Sequence, residues 1–206
     1  MLKLHYAPGT IALATAIALE EAGVPYEAVK IDFRANEQQS GKYLKVNPKG
    51  RVPSLVIDSG ILTETPAILA YIAQASPEAR LAPLGDPFAF AKVQEFNSYL
   101  CSTVHVAHAH RMRGKRWVDD AAAIVEMQRK VPETVTACFT LIENEMFKGP
   151  WVIGQNYTIC DAYLFTVARW LESDSVDPKL FPKVFEHRNR MGERPTVRAA
   201  IARVEI

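Results

Sequence analysis

Residues 2–33 read LKLHYAPGTIALATAIALEEAGVPYEAVKIDF, and this stretch decides the fold class of the first part of the chain. The alternation over positions 2–6 predicts a short strand. Thr10 can cap the apolar run Ile11–Ala22, which predicts a helix. Tyr26–Phe33 then alternates around β-branched residues and predicts a second strand. A strand, a helix and a strand in this order are typical of an α/β domain.

The residues that follow extend this pattern without repeating it. A polar loop leads to a short helix. Val52–Asp58 and Ile61–Thr63 then flank Ser59-Gly60, which predicts a hairpin. Pro66–Ala75 predicts another helix, because proline is favoured at the first helical position. The predicted order is therefore β-α-β-α-β-β-α within residues 1–76.

The remainder of the chain is predicted to contain a linker and helices but no strands. Residues 77–87 contain three prolines and a glycine, which predicts a linker. From Phe88 onward, apolar residues recur at helical spacing almost to the end of the chain. We therefore expect an α/β domain over residues 1–76, a linker over 77–87 and an all-helical domain over 88–206.

Composition excludes several classes of function. The 206 residues include 24 Lys and Arg against 23 Asp and Glu, so the chain lacks the basic excess of nucleic-acid-binding domains. The uncharged stretch Tyr6–Leu19 is too short to span a bilayer, and no signal peptide is apparent. Three cysteines without a C-x-x-C pair (Cys101, Cys138 and Cys160) argue against a secreted disulfide framework. We expect a cytoplasmic protein without nucleic-acid or membrane partners.

Four short motifs occur along the chain. They are Tyr6-Ala7-Pro8-Gly9, Asn47-Pro48-Lys49-Gly50-Arg51-Val52-Pro53, Leu62-Thr63-Glu64-Thr65-Pro66-Ala67-Ile68 and Tyr157-Thr158-Ile159-Cys160-Asp161. In this order and at this spacing they resemble the glutathione transferase superfamily, most closely its bacterial beta-class branch. The resemblance implies a thioredoxin-like N-terminal domain that holds glutathione, a C-terminal helical bundle that supplies the second-substrate pocket, and a homodimer.

Two of these motifs can contact glutathione directly. The resemblance implies that the Val52-Pro53 bond is cis and leaves the Val52 N–H and C=O free to pair with the cysteinyl backbone; an ordinary trans proline is the alternative. Thr65 lies at a predicted helix start, where unpaired N–H groups favour a carboxylate. Plain capping would explain Thr65 but not Glu64, which we expect to be buried. The expected glutathione-binding residues are Thr10, Asn36, Val52, Pro53, Glu64, Thr65 and Ser98.

The position of the beta-class cysteine is occupied here by Ile11, which excludes mixed-disulfide chemistry at that position. The bound thiol must still be held as thiolate, and one hydroxyl can supply the free energy required. Three residues are candidates. Thr10, at the helix start, is preferred, although it can be only a cap. Tyr6 matches the catalytic tyrosine of other classes but can be a half-buried strand aromatic, and His105 matches a beta-class histidine but is followed by Val106 instead of lysine.

Three histidines in one segment raise the question of a metal site. His105 and His108 share a helix face, but His110 lies about 140° around the helix from His105, so we expect no metal. The basic run Arg111–Arg116 is interpreted as a solvated helix end, and attraction of an acidic second substrate is the alternative. The Thr158-x-x-Asp161 spacing predicts a capping box with a role in folding rather than in catalysis.

These features favour an enzyme that conjugates the glutathione thiolate to a small hydrophobic electrophile, with glutathione as a substrate. A glutathione-dependent reductase of peroxides or disulfides is an alternative, although Ile11 removes part of that chemistry. A regulatory protein of the same fold is another, although the retained Val52-Pro53 and Glu64-Thr65 argue against it. Aromatic anchors for the homodimer could be Phe88, Phe90, Phe96 and Tyr99.

Overall fold

The structure is a computed structural model that describes residues 1–205. The chain forms two compact units. One contains residues 1–91 and the residues from Met191 onward, and the other contains residues 92–190. None of the helices formed by residues 1–205 is both long enough and apolar enough to cross a membrane.

The first unit consists of a mixed sheet and the helices around it. Its main elements are β1 (Leu2–Tyr6), α1 (Ala12–Glu21), β2 (Tyr26–Lys30), α2 (Gly41–Leu44), β3 (Ser54–Ile57), β4 (Gly60–Thr63), α3 (Thr65–Ala75) and α9 (Pro195–Val204). The strand order is β2-β1-β3-β4, with β1 parallel to β2 and the other two pairings antiparallel. This arrangement confirms the predicted α/β class.

The β3–β4 hairpin forms where it is predicted, but its turn is shifted by one residue. Ile57 pairs with Gly60, so the two turn residues are Asp58-Ser59. Gly60 opens β4 with φ 148°, a conformation that residues with a side chain rarely adopt. The glycine is therefore required at the first position of the strand rather than in the turn itself.

α1 is buried along most of its length because it packs against β1, α3 and α9. Small side chains recur along it and allow these neighbours to approach closely. Leu4 of β1 and Leu55 of β3 are fully buried in the same unit. The fully or almost fully buried alanines of α1 are Ala12, Ala14, Ala16 and Ala18.

The last helix belongs to the first unit. Glu21, at the end of α1, has a side chain that is only 7% exposed and accepts two hydrogen bonds of 2.6 Å from Arg194. It accepts a third from the Thr196 hydroxyl at 2.5 Å. The last helix was predicted as part of an all-helical domain over 88–206, whereas in the structure it groups with residues 1–91. Hydrophobic spacing identifies a helix but not the partner on which the helix packs.

The second unit is helical. Its elements are most of α4 (Pro87–Tyr99), α5 (His105–Arg113), α6 (Ala121–Leu141), α7 (Ile159–Ala168) and most of α8 (Pro182–Glu193). A π-helical turn, Leu100–Val104, separates α4 from α5. Apolar spacing continues through such a turn and does not reveal it. π-Helical turns inside helices are frequent at functional sites.

The predicted capping box at the start of α7 is confirmed. The Thr158 hydroxyl accepts a hydrogen bond from Cys160 N–H, and Thr158 N–H donates to the Asp161 carboxylate at 2.7 Å. Asp161 is fully buried, and its second oxygen accepts from Val152 N–H at 2.8 Å and lies 2.9 Å from His187 Nε2. The motif therefore organises the start of a buried helix.

Candidate functional site

The turn between β1 and α1 holds the preferred catalytic residue. Gly9 has φ 70°, the left-handed conformation for which glycine is suited. The Thr10 hydroxyl donates to the Ala7 carbonyl at 2.6 Å and accepts a longer bond from Ala12 N–H at 3.4 Å. The Thr10 proton is therefore engaged in this structure, and the hydroxyl must leave Ala7 before it can donate to a thiolate.

α1 begins later than predicted, at Ala12. Ile11 takes the N-cap position, and its side chain is 4% exposed. Thr10 therefore precedes the cap instead of forming it. Ile11 has no polar side-chain atom and offers a thiol neither a proton nor a charge. Tyr6, the last residue of β1, is 6% exposed and packs as a buried strand aromatic.

A carboxylate that was not predicted lies against the same turn. Both oxygens of Glu205, the residue after α9, accept from Gly9 N–H, at 3.2 and 3.3 Å. The two residues are 196 positions apart, so no local pattern could have indicated the contact. The C-terminal segment of the first unit therefore helps to shape the turn that carries Thr10.

The motif over residues 47–53 shapes the backbone around Val52. The Val52-Pro53 bond is cis. The Tyr43 hydroxyl and the Asn47 side-chain amide each donate to the Arg51 carbonyl at 2.7 Å and hold the preceding residue in place. Within residues 1–205, the Val52 N–H and C=O make no hydrogen bond. Val52 therefore presents a donor and an acceptor directly before β3.

Tyr43 is central to the support of this segment. Its side chain is buried. Its hydroxyl donates to the Arg51 carbonyl and also lies 3.0 Å from Ser54 Oγ. Burial raises the pKa of Tyr43 above its ordinary value. The hydroxyl therefore stays protonated at neutral pH and remains available as a donor to the Arg51 carbonyl.

The loop that contains Asn36 packs against the same segment. A Cβ at Gly50 would lie only 3.0 Å from the Gln38 carbonyl oxygen, so the two stretches are in close contact there. Asn36 is exposed, has φ 56°, and accepts a hydrogen bond from the Gln38 side chain at 2.8 Å. The structure therefore brings the Asn36 loop next to the turn that precedes Val52.

The start of α3 differs from the prediction in two respects. Glu64, rather than Thr65, occupies the N-cap position, and its φ of 73° with ψ of 117° is rare for a residue other than glycine. Its side chain is 52% exposed, so the expectation of a buried Glu64 was wrong. Thr65, in contrast, is 4% exposed. Backbone conformations of this kind cluster at ligand-binding sites.

Lys49 links the motif over residues 47–53 to the motif over residues 62–68. Its ammonium donates to Thr63 Oγ1 at 2.7 Å and to the Glu64 carboxylate at 2.5 Å. The ammonium and the first N–H groups of α3 both favour negative charge at this helix start. Lys49 was not among the predicted binding residues, although it lies within a quoted motif.

Two predicted site residues lie in the second unit. Ser98 is exposed near the end of α4, and its carbonyl accepts from the Ser102 hydroxyl at 2.9 Å. His105 is the first residue of α5, and its ring meets the Trp170 indole edge-on with centroids 5.2 Å apart.

The other histidines of α5 have different partners. His108 Nδ1 lies 2.8 Å from both carboxylate oxygens of Asp174, whereas His110 packs edge-on against Trp117 with centroids 4.6 Å apart. Asp174 is 2% exposed and lies 66 positions further along the chain, so spacing within α5 could not predict it. His108 is thus paired with a buried carboxylate.

The first unit combines three features suited to a small anionic peptide. Val52 offers a backbone donor and acceptor, as an added strand requires. The start of α3, with Lys49 beside it, offers positive potential to a carboxylate. The hydroxyl of Thr10 lies at the start of α1, where a developing anion would also be favoured.

Two family models match the chain. The model described as "Glutathione S-transferase, N-terminal domain" matches residues 1–74. The model described as "Glutathione S-transferase, C-terminal domain" matches residues 114–203. Among the relatives of this chain, Glutathione S-transferase GstA of Escherichia coli O157:H7 is 32% identical, and the alignment covers 98% of each chain.

Solved structures show the same similarity. A glutathione transferase homologue from Sulfitobacter, crystallised with bound glutathione, is 45% identical with a TM-score of 0.95, over 98% of this chain and 97% of that one. The bacterial beta-class glutathione S-transferase of Sphingomonas chungbukensis is 31% identical with a TM-score of 0.86, over 99% and 100% of the two chains.

Proposed function

Because this chain belongs to the glutathione S-transferase family, we propose that it conjugates the thiolate of glutathione to a small hydrophobic electrophile. The observation that carries the proposal is the Val52 backbone, whose N–H and C=O make no hydrogen bond within residues 1–205. These groups match the cysteinyl residue of glutathione, which has one backbone acceptor and one backbone donor to offer in return.

The γ-glutamyl end of glutathione carries a carboxylate and an ammonium, and the start of α3 suits both. Thr65 and the first N–H groups of the helix would bind the carboxylate. The exposed Glu64 carboxylate would bind the ammonium, in exchange for part of its contact with Lys49. Further contacts are proposed from Asn36, beside the Val52 segment, and from Ser98.

Activation of the thiol is the chemical task of the site. A thiol with a pKa near 8.5 is only a few per cent ionised at neutral pH, and lowering that pKa by about two units requires about 2.7 kcal/mol. A hydrogen bond from one hydroxyl to the thiolate supplies roughly 1.5–3 kcal/mol. The start of α1 adds about 0.3–1 kcal/mol. Thr10 would supply this hydroxyl once it leaves the Ala7 carbonyl.

The reductase alternative lacks a thiol in the first unit. The cysteines of the chain, Cys101, Cys138 and Cys160, all lie within residues 92–190. Ile11 occupies the position where the beta class carries its cysteine, so a mixed disulfide with glutathione cannot form at the start of α1. The conjugation reaction needs no protein thiol and is therefore favoured.

We also propose that the protein is a homodimer that works in the cytoplasm. The dimer is implied by the resemblance to the beta class, and Phe88, which is 76% exposed, is suited to anchor it. The cytoplasmic location follows from the cysteine usage, which does not suit a secreted disulfide framework.

A paired assay tests the function. The full chain should be retained on immobilised glutathione and eluted by free glutathione, and it should accelerate the conjugation of glutathione to chlorodinitrobenzene. Retention without turnover would favour the regulatory alternative. Absence of both would overturn the proposal.

A further inference from the structure

A cleft with charged walls lies entirely within the second unit. One wall is the loop of residues 147–150. The other wall is α8, on which Lys183, Glu186 and Arg190 follow one another at spacings of three and four residues and therefore share one face. The cleft has a volume of about 340 Å³, which is large enough for a small ligand.

Two lysines of this cleft are held in place without losing their charge. Lys148 Nζ donates to the Glu145 carbonyl at 2.6 Å, and Lys183 Nζ donates to the Glu143 carbonyl at 2.8 Å. A carbonyl fixes an ammonium but carries no formal charge, and each ammonium keeps two of its three donors for another acceptor. Within residues 1–205, neither lysine forms an ion pair with a carboxylate.

One carboxylate of residues 1–205 lines the cleft, and it already has a partner. Glu186 pairs with Arg190, whose guanidinium also donates to the Pro150 carbonyl at 2.5 Å. The nearby Glu143 carboxylate does not line the cleft, because it accepts from two backbone N–H groups at the start of α8, at 3.0 Å each. The lining side chains therefore carry three cations against one carboxylate, a formal charge of +2.

The rest of the lining is apolar. Pro150 is exposed, and the Phe147 ring packs edge-on against His187 with centroids 5.5 Å apart. The Arg190 guanidinium lies 5.6 Å from the centre of the Trp151 ring, a cation–π contact that holds this wall of the cleft in place. The cleft therefore offers apolar surface beside the two ammonium groups.

We propose that this cleft binds a small phosphomonoester, whose phosphate is held by Lys148 and Lys183 and whose organic part lies against Pro150 and Phe147. A phosphomonoester carries a charge of about −1.5 to −2 at neutral pH and three acceptor oxygens. This charge matches the +2 of the cleft, and the oxygens match the donors that the lysines keep. A carboxylate would neutralise only half of that charge. The site does not depend on the proposed function.

Isothermal titration calorimetry with phenyl phosphate tests the site, at constant ionic strength so that general screening is the same in every titration. The wild type should bind one phenyl phosphate per chain. The double variant Lys148→Gln/Lys183→Gln keeps side-chain N–H donors but removes both charges, so its affinity should fall at least about tenfold. Lys130→Gln, which removes a half-exposed lysine on α6 outside the cleft, should bind like the wild type.

Amide resonances of the labelled wild-type protein locate the ligand without any variant. Phenyl phosphate should shift the resonances of Gly149 and Lys183 saturably and leave that of Lys130 in place. Inorganic phosphate should shift the same resonances with an affinity at least about threefold weaker, because it lacks the apolar part.

Three results would overturn the proposal. Unchanged affinity in the double variant, or shifts confined to residues outside the cleft, would show that the two lysines only fasten the end of the preceding helix. Equal affinity for inorganic phosphate would show that the organic part makes no contact, which contradicts a phosphomonoester site.

Discussion

Thr10 is the residue whose hydroxyl decides how well the bound thiol ionises. Thr10→Val keeps the side-chain shape but removes the hydroxyl, so the thiol pKa of bound glutathione should rise by about one to two units. Less thiolate is then present at pH 7, and turnover should fall by about tenfold or more. The deficit should shrink at high pH, where the thiol ionises without help. Thiolate absorbance in the ultraviolet, titrated in the bound complex, measures the shift directly.

Tyr6→Phe is the matched control for this change, because Tyr6 ends β1 just before the same turn. It should leave turnover nearly unchanged. Loss of turnover in Tyr6→Phe with retention in Thr10→Val would reverse the assignment and place this chain with the tyrosine-type classes. If neither variant differs from wild type, the thiolate is stabilised by His105 or by backbone N–H groups.

Thr65 is buried at the start of α3, where we expect the γ-glutamyl carboxylate to bind. Thr65→Ala should weaken glutathione affinity by about 1–2 kcal/mol, the cost of one hydrogen bond to a charged group. Isothermal titration calorimetry measures this difference. Thr140→Ala, which removes an exposed hydroxyl bonded only to the Thr136 carbonyl of α6, should bind glutathione like the wild type. An unchanged affinity in Thr65→Ala would refute the placement of the carboxylate.

At the scale of elements, the attachment of α9 to α1 depends on Glu21. Its carboxylate is nearly buried, and Arg194 supplies two of the three hydrogen bonds it receives. Arg194→Ala removes the cation that pairs with this carboxylate. Because the pair is partly exposed, we expect the free energy of unfolding to fall by roughly 2–3 kcal/mol. Urea unfolding measures the loss. Arg198→Ala, on the exposed side of α9, should change little, and equal stability of the two variants would show that Glu21 does not hold the helix.

The elements themselves could largely be predicted, whereas their partners could not. The β1-α1-β2 order follows from local periodicity, because alternation and helical spacing are properties of neighbouring residues. The contacts of Glu205 with Gly9 and of Asp174 with His108 join residues 196 and 66 positions apart, and no local pattern records them. The motifs therefore indicate Val52 and Thr65 as binding residues, which stays a prediction, whereas the charged contacts around them are visible only in the structure.

At the scale of the whole molecule, the expected homodimer can be tested through its aromatic anchors. Phe96 is 2% exposed and packs inside its own chain, so it cannot anchor a partner, whereas Phe88 is 76% exposed. Phe88→Asp places a charge in the expected interface and should raise the dimer dissociation constant at least about tenfold. Sedimentation at micromolar concentration should then show more of the 23.0 kDa monomer. Leu180→Asp, at a residue that is 60% exposed in the second unit, is the control and should stay dimeric; a wild-type protein that sediments as a monomer would contradict the dimer itself.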